Sequence, residues 1–265
     1  MISQAIVNGR THRLMQQNSH DSVHSGSPQP GHAFGLVLDG CGSKYPDGTP
    51  SHNEVGAKLL GQFAAAWLKQ QLADAAQRAS TGENELGQML AALHQDCIAF
   101  LQTINAAMPW QSSTDTAKFV STHLLATMVG FVVTPETAVF FWQGDGYLAH
   151  NGHVTTLDSN NRPDYLAYHV LRQEAGREKS KERSEESSAD QASFAGAPHT
   201  FQTHFLDRAA LQWLAVATDG WQAAQLTQLG EPRSSLQLQR WLNMQTRTAG
   251  SFEDDGAVAI WWHEA

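Results

Sequence analysis

Apolar residues in this chain fall into two patterns. Short continuous apolar runs read as strands buried on both faces, and stripes at i, i+3, i+4 spacing read as amphipathic helices. Ala5, Ile6 and Val7 predict an edge strand, followed by a polar, His-rich loop to residue 24. Residues 25–31, rich in Ser, Pro and Gly, predict a turn. A nearly all-apolar strand is expected over 32–38, then a loop rich in Gly and Pro. Ser51 and Glu54 have the spacing of a capping box, opening a helix to about residue 76 with a stripe of Val55, Leu59, Phe63 and Trp67. A second helix over 84–105 carries Leu86, Leu90, Leu93, Cys97, Leu101 and Ile104, so an antiparallel pair packed on a sheet is expected. A strand meander follows over 120–133, 138–143, 146–150 and 153–157, its last hairpin turning at Asn151 and Gly152. Residues 174–193 are the most polar stretch and read as a mobile, flap-like insertion. Strands at 199–205, 211–218 and 256–262, with helices at 221–229 and 234–243, complete the order. The pattern shows no internal repeat and predicts one α+β or layered domain over 1–265.

Four of the apolar runs meet an Asp beside a Gly. Asp39–Gly40, Asp145–Gly146 and Asp219–Gly220 end such runs, and Asp254 with Asp255 leads one. One Asp-Gly is an ordinary turn pair. Asp39, Asp219 and Asp254 differ in flanking runs too apolar for edge strands, so they belong to central strands and can meet at one rim. Carboxylates gathered there repel unless a cation neutralises them, and all-oxygen ligands select a hard divalent ion. The residues alone therefore predict a metal-assisted hydrolase.

The 265 residues, 41% hydrophobic with 8 Trp, can bury a substantial core. A net charge of −9 gives no basic field for nucleic acid or an anionic membrane, and neither partner is expected. The two Cys make no disulfide framework or zinc pattern, and the first ten residues lack a signal-peptide core, so a cytoplasmic location is expected.

Taken in order, the motifs resemble the metal-dependent protein phosphatases of the type 2C (PPM) class. Asp39-Gly40-Cys41-Gly42-Ser43 resembles that family's Asp-Gly-His-Gly-Gly, and residues 121–127 its Thr-rich strand. Gly144-Asp145-Gly146-Tyr147 resembles Gly-Asp-Ser-Arg, and Thr218-Asp219-Gly220 resembles Ser-Asp-Gly. Asp254-Asp255-Gly256-Ala257-Val258 resembles Asp-Asn-x-Thr-Val, and His20-Asp21 the N-terminal acid pair. An aspartate-nucleophile phosphatase would need Asp-x-Asp where Asp39-Gly40-Cys41 stands.

The resemblance implies an α-β-β-α sandwich of two mostly antiparallel sheets flanked by antiparallel helix pairs. It implies a serine/threonine phosphoprotein phosphatase, in bacterial style, using a metal-activated water and two Mn2+ or Mg2+ ions. Asp39 would bridge both ions, with the Gly40 carbonyl completing one. Asp219 and Asp254 would hold the first ion, Asp21 would support the second through water, and Asp145 would be a ligand for a third, weaker one, without its usual partner because Ala223 stands there. The implied partners are a phosphoserine or phosphothreonine protein and a cognate kinase, with the chain a monomer. Departures are Cys41 for the family His, His20 for an acid, Gln16 for the phosphate-binding Arg, Ala223 for a second Asp, and Gly146-Tyr147 for Ser-Arg. They keep a second reading open: a catalytically weak type 2C fold that recognises a phosphoprotein.

Overall fold

The computed structural model describes residues 1–42, 49–75, 82–109, 112–159, 163–172, 200–248 and 250–263. The expected flap at 174–193 and Ser43 of the first motif lie outside them.

The continuous apolar runs become strands with both faces covered. One sheet has the order β1 (Ile2–Val7), β10 (Gly256–Trp262), β9 (Trp213–Ala217), β6 (Gly146–His150), β7 (His153–Leu157). The other runs β2 (Ser22–Gln29), β3 (His32–Leu38), β4 (Met128–Val133), β5 (Thr137–Gln143), β8 (Gln202–Asp207). All their strand pairs are antiparallel. Side chains alternate between faces, so each central strand feeds two cores. Ala33 and Val37 of β3 meet Val216 and Ala259 in the layer between the sheets. Phe34, Leu36 and Leu38 point the other way, into a core with helices α2 (Asn53–Ala75) and α3 (Glu83–Ala106). Across the sandwich, Ala217, Val258 and Ile260 pack on the short helix α5 (Ala223–Leu226) and on α6 (Ser235–Gln245). The layer order is α-β-β-α, as the resemblance implied. Among the described residues no helix is long and apolar enough to cross a membrane.

Several local expectations needed correcting. The loop expected before residue 24 holds a short helix, α1 (Arg10–Met15), and the start of β2. Residues 25–29, expected as turn, pair with β3 as an edge strand. Pro28 is tolerated there because its missing N–H faces no partner strand, and the register shifts between Gly26 and Gln29. The stripe of Val55 and Leu59 is exposed; α2 buries Ala57, Leu60, Ala64, Leu68 and Leu72 instead. Small residues on that face let the helix approach the sheet closely. Phe63 stacks on Phe100 and the Trp67 indole N–H donates to Asp96, so the predicted stripe serves the α2–α3 seam. The capping box does not close: α2 starts at Asn53, the Ser51 hydroxyl donates to the Cys41 carbonyl, and Glu54 turns toward two histidines.

Residues 120–124 are helical, not strand. They extend α4 (Ser113–Phe119) by a π-turn in which the Ser121 and Thr122 hydroxyls donate to the Ala117 and Lys118 carbonyls, both at 2.7 Å. β-branched residues that satisfy their hydroxyls this way lose part of their strand preference. The meander also divides, because β5 lies in one sheet and β6 in the other. Asp145 sits on the crossover between Gly144 and Gly146, whose φ values of 103° and 138° suit glycine.

Candidate metal centre

The two sheets end together at one rim. There Asp39, Asp145, Asp219 and Asp254 line a single cleft of about 340 Å3 with Gly40. Asp39 is held by continued pairing beyond β3. Its N–H donates to the Thr127 hydroxyl at 3.2 Å, and its carbonyl accepts the Thr127 N–H at 2.9 Å. Gly40 then bridges Ala126, and a Cβ there would meet the Asn53 carbonyl carbon and oxygen at 2.8 Å. Asp145 accepts from the Ser159 hydroxyl at 2.8 Å. Asp254 accepts the Asp255 N–H at 2.8 Å.

Asp21 lies behind the cleft rather than on its wall. It is buried, accepts the Thr218 hydroxyl at 2.6 Å and shares a hydrogen bond with Asp39. Thr218 in turn accepts the Ala257 N–H at 2.8 Å, which ties the start of β10 to the end of β9.

Burial, then the neighbouring Asp219, Asp254 and Asp145, pushes the Asp39 carboxyl up to about 8. Asp219 is pushed up to about 6 by desolvation in the cleft and by Asp145 and Asp254. Burial and Asp39 hold Asp21 well above the usual carboxylate range. These shifts describe anions crowded without a counter-charge. Among the described lining residues none is Arg or Lys. The donor set is hard and oxygen-rich, which fits a divalent cation of the Mg2+ or Mn2+ kind. Among the described residues, no three His, Cys, Asp or Glu side chains are gathered as the ligands of one ion.

The sequence matches the family model for protein phosphatase 2C over residues 8–258. The chain belongs to the protein phosphatase 2C family. Its fold is similar to that of a mutant bacterial serine phosphatase, with TM-score 0.61 at 11% identity over 99% of this chain and 98% of that one. Stp1, a serine/threonine phosphatase from Staphylococcus aureus, gives 0.59 at 13% over 100% and 95%. The catalytic domain of the phosphatase PstP, solved in complex with 2 manganese ions, gives 0.55 at 16% over 98% and 96%. No curated protein matches the sequence.

This protein phosphatase 2C chain departs from the expected residue set in ways the geometry explains. Neither Arg10 nor Arg13, the arginines that precede Gln16, lines the cleft: Arg10 pairs with exposed Glu253 at 3.6 Å, and Arg13 donates to the Asn8 carbonyl. Gln16 caps α1 in a left-handed conformation, with φ 56°. Cys41 is buried on the cleft wall, its thiol 3.2 Å from the Gly42 carbonyl and hydrogen-bonded to Tyr165. Burial raises the Tyr165 phenol far above its ordinary value, so it stays neutral.

Two residues escaped sequence reasoning. Asp255 is buried and accepts the Gly9 and His20 N–H groups, each at 2.6 Å, and the His12 ring at 2.8 Å. His12 lines the cleft. No local spacing marks either residue; the only signal is that Asp254 and Asp255 precede a strand and so point opposite ways.

Gly220 makes this corner possible, because a Cβ there would lie 1.8 Å from the Asp255 carbonyl oxygen. That oxygen belongs to backbone, so it cannot swing aside as the end of a side chain could. Gly220→Ala is expected to destabilise the protein by about 3 kcal/mol, measured by urea unfolding. Wild-type stability in that variant would mean the β9–β10 corner is more plastic than drawn.

Proposed function

We propose that the cleft is a two-metal centre and that the chain is a metal-dependent serine/threonine phosphoprotein phosphatase. The observation that carries this reading is the convergence of Asp39, Asp145, Asp219 and Asp254, from four strand ends, in a cleft walled without Arg or Lys. We assign Asp39 to both ions, the Gly40 carbonyl to one of them, Asp219 and Asp254 to the first, and Asp145 to a weaker accessory site. Asp21 acts from behind: its hydrogen bond fixes the Asp39 carboxyl, and it would support the second ion through water. When bound, two divalent cations supply an activated water and neutralise the phosphate. The chain's own part is to aim these carboxylates and to hold their backbone rigid through Thr127 and Thr218. A cysteine nucleophile has no place in this scheme, and Cys41 serves as part of the cleft wall. We read residues 1–265 as one type 2C domain acting on a phosphoserine or phosphothreonine protein.

The test is hydrolysis of para-nitrophenyl phosphate and of a phosphothreonine peptide with Mn2+, with Mg2+ and with chelator. Turnover is expected with metal and is expected to disappear with chelator. Turnover that survives chelation would overturn the two-metal assignment. Metal binding without turnover would instead select the phosphoprotein-binding module.

A further inference from the structure

A phosphate group entering the cleft meets four aspartates. Cations can offset that charge, but oriented hydrogen-bond donors must come from the walls, and neither Arg nor Lys is among the described ones. Of the described lining residues, only His12 and His20 can become cationic. Their rings stand 4.6 Å apart, tilted by 45°. His20 directs Nε2 toward Glu54, at 3.8 Å. His12 has a different arrangement. Its Nδ1 lies 2.8 Å from Asp255 Oδ2, with side chains only 15% and 2% exposed. Asp255 is immobilised by the Gly9 and His20 N–H groups, so it accepts at both oxygens and Nδ1 is the donor in its contact with His12. A buried carboxylate that fixes one imidazole nitrogen leaves the other to act on a substrate, with the counter-charge for an imidazolium already in place.

We propose that His12, held by Asp255, donates from Nε2 to a phosphate oxygen of the substrate and of the released inorganic phosphate. It takes over the task for which the type 2C resemblance expected an arginine. Asp255 is a positioning residue that fixes the ring's direction and is the counter-charge for the doubly protonated ring, the form that donates from both nitrogens. The inference rests on the phosphatase reading and assigns that site its phosphate donor.

The test uses the full chain loaded with Mn2+ and compares wild type with His12→Ala and His12→Gln. Inorganic phosphate serves both as competitive inhibitor and as calorimetric ligand. A lost hydrogen bond to a charged group should lower kcat/KM roughly 10–100-fold and weaken phosphate binding by a similar factor. Mn2+ affinity should stay within about twofold, with an unchanged melting temperature. Asp255→Asn keeps an acceptor oxygen but loses the counter-charge, so it should move phosphate binding in the same direction by less. Unaltered phosphate affinity in both His12 variants would overturn the inference, as would a loss of Mn2+ affinity that matches the loss of turnover. A wild type that hydrolyses nothing would refute the phosphatase reading alone. In that case the comparison of phosphate binding between wild type and His12→Ala still decides the role of His12.

Discussion

The Asp39→Asn protein is expected to lose turnover by at least ~1000-fold and yet, freed of metal, to melt no lower than wild type. Asn has the shape of Asp and keeps an acceptor for the hydrogen bond shared with Asp21. The Thr127 contacts use the Asp39 backbone and survive the change. What disappears is a carboxyl whose ionisation burial, Asp219, Asp254 and Asp145 all oppose. Function and stability therefore pull apart at this position, as they do where a site stores repulsion for later use. Mn2+ titration by calorimetry and a thermal melt in chelator check both halves. A variant that melts well below wild type would show that Asp39 holds the fold, and full turnover would remove it from the centre.

The second large effect is on pH. The folded-state carboxyl of Asp39 titrates near 8 against an ordinary 3.8, so the folded protein holds a proton that the unfolded chain releases. Its contribution is fully present below about pH 4 and is lost as pH rises through about 8. The linkage is worth at most ~1.4 kcal/mol for each pH unit between those limits, and solvent entering the cleft will reduce it. Metal-free protein is therefore expected to melt roughly 3–8 °C lower at pH 8 than at pH 5. Saturating Mn2+ should cancel the difference, since a cation makes the ionised form the favoured one. A metal-free melting temperature that rises from pH 5 to pH 8 would contradict the crowded-anion account. In Asp39→Asn the same profile should flatten.

The parts of this molecule legible in its sequence are those where one element settles the outcome. Residues 32–38 and 256–262 are buried on both faces, so their apolar runs are unbroken and their ends are marked by Gly and Asp. The four cleft aspartates follow, because they sit where such runs stop. Elements decided by a partner were harder to read. β2 lies at an edge and carries Gly and Pro within it, and only its pairing with β3 makes it a strand. The buried face of α2 is chosen by the sheet beneath it, and its small residues gave a weaker signal than the stripe of Val55, Leu59, Phe63 and Trp67. His12 and Asp255 are 243 residues apart, and no spacing rule spans that distance.

Asp39 ends a strand of one sheet, whereas Asp219 and Asp254 flank strands of the other, and Asp145 rides on the link between them. The layer between the sheets is apolar, and apolar packing resists separation more than sliding. Any ion that engages Asp39 together with Asp219 or Asp254 acts as a rivet through both plates at one end. The same charges that make the empty cleft a point of strain make the loaded one the place where the two halves are locked in register.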